Sequence, residues 1–246
     1  MKRFLKPSDL PFVALCGGLL TYIARILLFV SAIGSDRGLL PVGTLPDLAS
    51  WALVAVTMIL LLIGVRPIQE EVRYSRRFQK ALFATISMGI AAVCFCITSA
   101  LELLAETDTV SLISAWMGFL AAASLGILAW ARMKSKPASM IFHGIVTLYL
   151  MLYLVSHYRL WSSSPQLQSY AFELLAIVFV MLASYQRTAA DIGHSTCRTF
   201  TFFSLAAVYF CIATLPGCDN PVFFVGCALW MFFTPCHLPE SSRREA

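Results

Sequence analysis

The chain has 246 residues, of which 59% are hydrophobic and 13% charged, and its formal net charge at pH 7 is +5. Soluble domains are about 45–50% apolar and about 25% charged, so a water-soluble fold of this length could not bury so much apolar surface. The composition therefore excludes an ordinary soluble domain and predicts an all-α integral membrane protein, in which the lipid bilayer surrounds the apolar side chains.

Eight apolar stretches are each long enough for a membrane span, which takes about 20 residues to cross roughly 30 Å of hydrocarbon. They are 11–33, 46–65, 81–104, 111–131, 140–161, 165–186, 200–217 and 221–238. Backbone polar groups find no partners in lipid, so each stretch is predicted to be a helix. Pro46 and Pro165 are expected to open the second and sixth helices, where a missing N–H is tolerated.

Basic residues predict the orientation of these helices, because connections rich in Lys and Arg stay in the cytoplasm. All but three of the 18 Lys and Arg residues lie at the N-terminus, in the second, fourth and sixth connections, or in the C-terminal tail. The exceptions are Arg25, Arg37 and Arg159. We therefore expect a multi-pass protein of the cell membrane (plasma or inner) with both termini cytoplasmic. The positive charge reflects topology, and no nucleic-acid partner is expected.

An internal repeat is indicated by four short matches that occur in the same order in both halves. Residues 91–97 (AAVCFCI) match 206–212 (AAVYFCI), for example, and 18–21 (GLLT) match 144–147 (GIVT). The matches predict a 4+4 parallel repeat, with residues 1–136 and 137–246 as two four-helix units of one membrane domain. Coincidence is the alternative explanation, because apolar helices draw on few residue types.

Charged residues inside spans are costly and often mark functional sites. Arg25, Glu102, Glu173 and Arg159 all lie toward the outer ends of their helices. They are the candidate substrate-binding residues, and they suggest an outward-facing site for a small charged solute. Two ion pairs are predicted, Arg25 with Glu102 and Arg159 with Glu173. Purely structural pairing, or snorkelling of long side chains to the interface, is the alternative interpretation.

The second connection carries a basic cluster that includes Arg73, Arg76 and Arg77. Such a cluster is typical of a contact with anionic lipid headgroups or with a cytoplasmic protein partner.

A zinc site could be assembled from four His and Cys residues near the cytoplasmic side. They are His194, Cys197, Cys236 and His237. Their spacing differs from that of structural zinc sites, so neither a metal nor another cofactor is predicted.

Three functional hypotheses follow from these features. The leading one is a small-solute transporter or permease, because charge lies inside the bundle and no soluble domain is predicted. The alternative is a membrane-embedded subunit or sensor that acts through a cytoplasmic partner. An intramembrane enzyme ranks last, because no convergent catalytic set is visible.

Overall fold

The computed structural model describes residues 9–33, 44–66, 68, 82–105, 109–134, 139–162, 170–191 and 196–234, and all its elements there are helices. In chain order they are α1 (Leu10–Ile33), α2 (Leu45–Val65), α3 (Leu82–Ala105), α4 (Thr109–Met133), α5 (Met140–Trp161), α6 (Ala171–Asp191), α7 (Cys197–Thr214) and α8 (Pro221–Phe233).

Each predicted stretch overlaps one helix, but the lengths differ. Seven helices, α1 to α7, are long and apolar enough to cross a membrane, which indicates a multi-pass membrane protein. The eighth has 13 residues, or about 20 Å at 1.5 Å per residue, which is shorter than the hydrocarbon core. The number of full spans is therefore seven by this criterion, and the predicted eighth remains unconfirmed.

The predicted helix starts are partly confirmed. Thr44 is the N-cap of α2, and Pro46 lies in its first turn as expected. The sixth helix begins at Ala171 rather than at residue 165. Pro165 itself lies outside the described residues.

Six of the helices form a closed ring. Each of α3 to α7 packs on the next helix in the chain, and α8 returns to pack against α3. Outside the ring, α1 and α2 form a hairpin that packs mainly against α7. As a result α7 is the most buried span, with 72% of its most apolar window inside the protein, against 28% for α2 and for α3.

The hairpin meets α7 through a small apolar cluster and one polar contact. Leu10 and Leu61 are buried together with Leu205 of α7. Thr21 and Tyr209 join α1 to α7 by a hydrogen bond of 2.6 Å between their hydroxyl oxygens. Close packing and a buried hydrogen bond therefore fix the hairpin to the ring.

Large apolar side chains cover the outer faces of the bundle. Leu27, Ile59 and Val93, for example, are 58%, 55% and 59% exposed. Soluble monomers rarely expose apolar patches larger than a few hundred Å². These faces therefore fit contact with lipid acyl chains.

The packing does not display the symmetry that a 4+4 repeat would produce. Exchange of the two halves would turn the contact between α1 and α7 into one between α5 and α3. In the described part of the chain the first contact is extensive and the second is not. The repeat, with its boundary after residue 136, therefore remains a prediction that the packing does not support.

The two ends of the bundle are named here from the predicted topology. The end with the α3–α4 and α7–α8 connections is called the outer end, and the opposite end the inner end.

Candidate functional site

Arg25 lies inside the protein near the outer end of α1, with 4% of its surface exposed. Its Nη1 donates a hydrogen bond of 3.1 Å to the carbonyl oxygen of Ala213 in α7. The guanidinium lies 4.4 Å from the ring centroid of Phe172 in α6 and 5.6 Å from that of Phe29. A cation above an aromatic face is stabilised by the ring quadrupole. Arg25 therefore joins α1, α6 and α7 at one point.

Glu173 faces this arginine from the first turn of α6 and is 2% exposed. The charges of Arg25 and of Asp219 both act on the Glu173 carboxylate. A carboxylate in a first turn also interacts favourably with the helix dipole. The arrangement differs from the predicted ion pairs, because Glu173 neighbours Arg25. Arg159, the partner predicted for Glu173, is exposed near the end of α5.

Glu102, the other predicted acidic residue, lies one turn from the end of α3. Both of its carboxylate oxygens are buried, and neither has a hydrogen-bond partner among the described residues. Four hydroxyls on α3, α4 and α5 are also buried without a partner there; they belong to Thr98, Ser99, Ser114 and Tyr149. Native proteins leave only a few buried polar atoms unsatisfied, so five such residues on three successive helices of the ring are unusual.

A glycine brings the central members of this group together. A Cβ on Gly118 of α4 would collide with the Ser99 hydroxyl and lie 2.9 Å from the Tyr149 ring. The hydroxyls of Ser99 and Tyr149 are neighbours, yet neither makes a well-formed hydrogen bond. Glu102 follows Ser99 by one helical turn, and its charge acts on Tyr149. We refer to Thr98, Ser99, Glu102, Ser114 and Tyr149 as the Glu102 cluster.

Tyr153 lies between the Glu102 cluster and the Arg25–Glu173 pair. The charges of Glu102 and Glu173 both act on its hydroxyl. The Nδ2 of Asn220, in the α7–α8 connection, donates to that hydroxyl over 3.4 Å. Two of the predicted residues, Glu173 and Glu102, thus both act on Tyr153, and Arg25 lies beside Glu173. Arg159 is exposed near the end of α5.

A column of aromatic rings runs through the interior from the outer end of α5, past this site, to the inner end of α8. Each ring centroid lies between 4.0 and 6.5 Å from the next. The column runs Trp161, His157, Tyr153, Phe223, Phe95 and Trp230. Such tilted and stacked contacts pack densely. Its last two members, Phe95 and Trp230, therefore close the centre of the ring of helices on the inner side of the polar site.

The α7–α8 connection covers the outer side of the site. Asp219 accepts a hydrogen bond of 3.5 Å from Nε1 of Trp161, and Cys218 donates one of 3.4 Å to the Leu215 carbonyl. Burial, together with the carboxylates of Glu173 and Asp219, raises the pKa of the Cys218 thiol to about 12. Cys218 is therefore a thiol rather than a thiolate at neutral pH.

Several predicted residues lie elsewhere or cannot be placed. Arg73, Arg76 and Arg77 are outside the described residues. Of the four His and Cys residues considered for zinc, only Cys197 lies within the described part, which contains no group of three or more potential metal ligands.

Sequence reasoning missed the hydroxyl members of the Glu102 cluster. Nothing in the sequence distinguishes Tyr149 from the other aromatic residues of the spans, and Ser99 and Ser114 resemble other helical serines. Charge within a span was the one signal that pointed here, through Glu102.

Comparison of the chain with protein-family models, with curated proteins and with solved structures gives no match. The class of protein is therefore inferred from the helices of this chain alone. The part of the chain that the structure describes is all-helical, and its seven long apolar helices indicate a multi-pass membrane protein in contact with the lipid bilayer.

Proposed function

We propose that the chain is a transporter for a small cationic solute, which binds at the Glu102 cluster. The observation that supports this proposal is the Glu102 carboxylate, buried without a hydrogen-bond partner among the described residues. An uncompensated buried charge costs several kcal/mol, so such a group usually meets a counter-ion or a proton. A cation entering from the outer end would supply the missing partner.

The neighbouring groups favour an organic ammonium ion over a bare metal ion. The unsatisfied hydroxyls of Ser99, Ser114 and Tyr149 can each accept an N–H hydrogen bond. The rings of Tyr149 and Tyr153 are fully or almost fully buried beside the carboxylate, and aromatic faces attract ammonium groups. One charge, several acceptors and aromatic walls together suit a small amine.

Arg25 and Glu173 take a supporting part in this proposal. Arg25 already has the Ala213 carbonyl, the Phe172 ring and Glu173 around it. The pair would hold α1, α6 and α7 in place next to the solute, on the far side of Tyr153. The inner part of the aromatic column, Phe95 and Trp230, would separate the bound solute from the inner end until the helices rearrange.

The proposal is tested first by binding. The purified protein is heated with a panel of small amines and, separately, of alkali cations, at constant ionic strength. A ligand present at 100 times its Kd stabilises the folded state by about 2.7 kcal/mol. We expect an amine to raise the Tm of the parent and to have no effect on Glu102→Gln.

The matched control is Asp47→Asn, which removes a carboxylate from the first turn of α2 at the same end of the bundle. This variant should respond to the amine as the parent does. Uptake of the same amine into proteoliposomes, present in the parent and lost in Glu102→Gln, then tests transport. If no cation stabilises the protein, or if Glu102→Gln responds like the parent, the proposal is wrong.

A further inference from the structure

A second polar site lies at the inner end of the bundle, separate from the Glu102 cluster. Three basic side chains line a cavity there: Arg132 of α4, His143 of α5 and Arg187 of α6. Their exposed fractions are 9%, 3% and 8%. The rest of its described lining is Ala183, Ser184, Phe200, Trp230, Met231 and Thr234.

The direction of the helices explains why these groups converge. Arg132 is in the last turn of α4 and Arg187 is near the end of α6, so both point to the inner end. His143 is in the first turn of α5, which starts at the same end. The N-terminus of that helix adds a partial positive charge.

The electrostatics of the cavity favour an anion. The charges of both arginines act on His143, and the described lining contains no carboxylate. Both arginines also take part in other interactions, so the inference rests on their convergence and on the chemistry of the lining. An anion in this poorly solvated space would interact favourably with both guanidinium groups at once.

His143 provides an independent indication of a ligand. Its Nδ1 is buried and has no hydrogen-bond partner among the described residues. The residue is buried, and its ring lines the cavity. Buried ring nitrogens normally make a hydrogen bond, and an oxygen atom bound in the cavity would be the missing partner of Nδ1.

We infer that this inner cavity binds a phosphate-bearing anion. Guanidinium groups present paired N–H donors that match phosphate oxygens, and two of them can hold one phosphate from two sides. The space amounts to about 220 Å³ with its opening, and the enclosed part holds about one water molecule. One phosphate oxygen therefore fits between the basic side chains while the rest of the group remains at the mouth.

Two sources could supply the same phosphate chemistry. Free inorganic phosphate could enter from the inner aqueous side. The headgroup of an anionic phospholipid could enter laterally, because residues at helix ends lie near the level of the headgroups. The experiment therefore has one arm for each source.

The first arm uses the full-length protein in a neutral detergent. Its Tm is measured with inorganic phosphate and with chloride at equal ionic strength. The second arm compares the number of lipids retained, by native mass spectrometry, from nanodiscs of phosphatidylglycerol and of phosphatidylcholine. We expect phosphate or phosphatidylglycerol to be preferred by the parent, and its binding to weaken about tenfold or more in Arg187→Gln.

Lys134→Gln is the matched control, because Lys134 is exposed at the same end of α4. It should retain binding. Preference in the first arm identifies the free anion, and preference in the second arm alone identifies the lipid. If Arg187→Gln does not fold, Arg187→Lys keeps the charge without the paired donors and should still bind more weakly. No preference in either arm, or equal loss in Lys134→Gln, would overturn the inference, and neither result bears on the amine site.

Discussion

Two buried tyrosines differ in what their hydroxyls contact, and this difference has a measurable consequence. Tyr209 bonds to Thr21 over 2.6 Å, whereas the Tyr149 hydroxyl has no partner among the described residues. A net hydrogen bond contributes about 1 kcal/mol, whereas removal of an unsatisfied hydroxyl is close to neutral. We expect Tyr209→Phe to lower the Tm by roughly 2–4 °C, and Tyr149→Phe to leave it unchanged or raise it.

Both rings are fully buried, and both substitutions remove one hydroxyl from a buried ring. Each variant is therefore the control for the other. Thermal unfolding without added solute is the measurement. If Tyr149→Phe were the more destabilising of the two, the hydroxyl would have a partner, and the Glu102 cluster would lose one of its unsatisfied members.

The sequence predicted the charged part of the site better than its hydroxyl part. Charge in a span is rare, so Arg25, Glu102 and Glu173 stand out in the sequence. A helical Ser or Thr usually bonds to a carbonyl in its own helix, as Thr21 does with Gly17 and Ser124 with Leu120. Only the packing around a hydroxyl shows that this bond is not made, and for that reason Ser99 and Ser114 could not be identified in advance.

At the scale of single helices, two glycines of α4 allow a test of how closely α4 approaches α3 and α5 at the Glu102 cluster. A Cβ on Gly118 would meet Ser99 and Tyr149, whereas a Cβ on Gly126 would meet nothing within 4 Å. Overpacking a tight contact lowers the free energy of unfolding by roughly 1–3 kcal/mol. We expect Gly118→Ala to lower the Tm and to weaken amine binding, and Gly126→Ala to leave both unchanged.

The two glycines lie on the same helix, so they control for the change in helix propensity. Equal effects would mean that α4 does not approach α3 and α5 as closely as described. A Gly118→Ala variant with parental stability but without amine binding would place the effect in the site itself.

Helix existence was predictable, and helix ends were less so. Hydropathy over about 20 residues is a strong signal, and every predicted span overlaps a helix. The start of α6 at Ala171 and the 13-residue length of α8 are not visible in hydropathy, which reports only average apolar character over a window. Pro46 correctly predicted the start of α2, because the N–H that proline lacks has no partner in a first turn and its fixed φ suits a helix.

At the scale of the whole molecule, the neighbours of each helix were not predictable. The ring of α3 to α8 closes through α8 and α3, which are far apart in sequence. Helix association in lipid depends on side-chain fit rather than on hydrophobicity, since lipid is as apolar as leucine. For the same reason, short matches between apolar helices say little about packing, and the predicted two-fold arrangement is not seen in the contacts.

Orientation in the membrane is a whole-molecule prediction that α4 can test by labelling at its two ends. The native cysteines are poor reporters: Cys197 is buried, and the pKa of the half-buried Cys218 thiol is raised to about 12. Thr109 and Lys134 are instead exposed at opposite ends of the α4 segment. A cysteine at either position should therefore react readily if the reagent can reach it.

Intact cells that express Thr109→Cys or Lys134→Cys are treated with a membrane-impermeant maleimide, with the parent as the blank for native thiols. Because Lys and Arg concentrate at the inner end, we expect Thr109→Cys to be labelled at once and Lys134→Cys only after permeabilisation. The reverse order would invert the topology, and the amine site would then open toward the cytoplasm. Equal labelling of both before permeabilisation would mean that α4 does not cross the membrane, which is incompatible with a site enclosed by α3, α4 and α5.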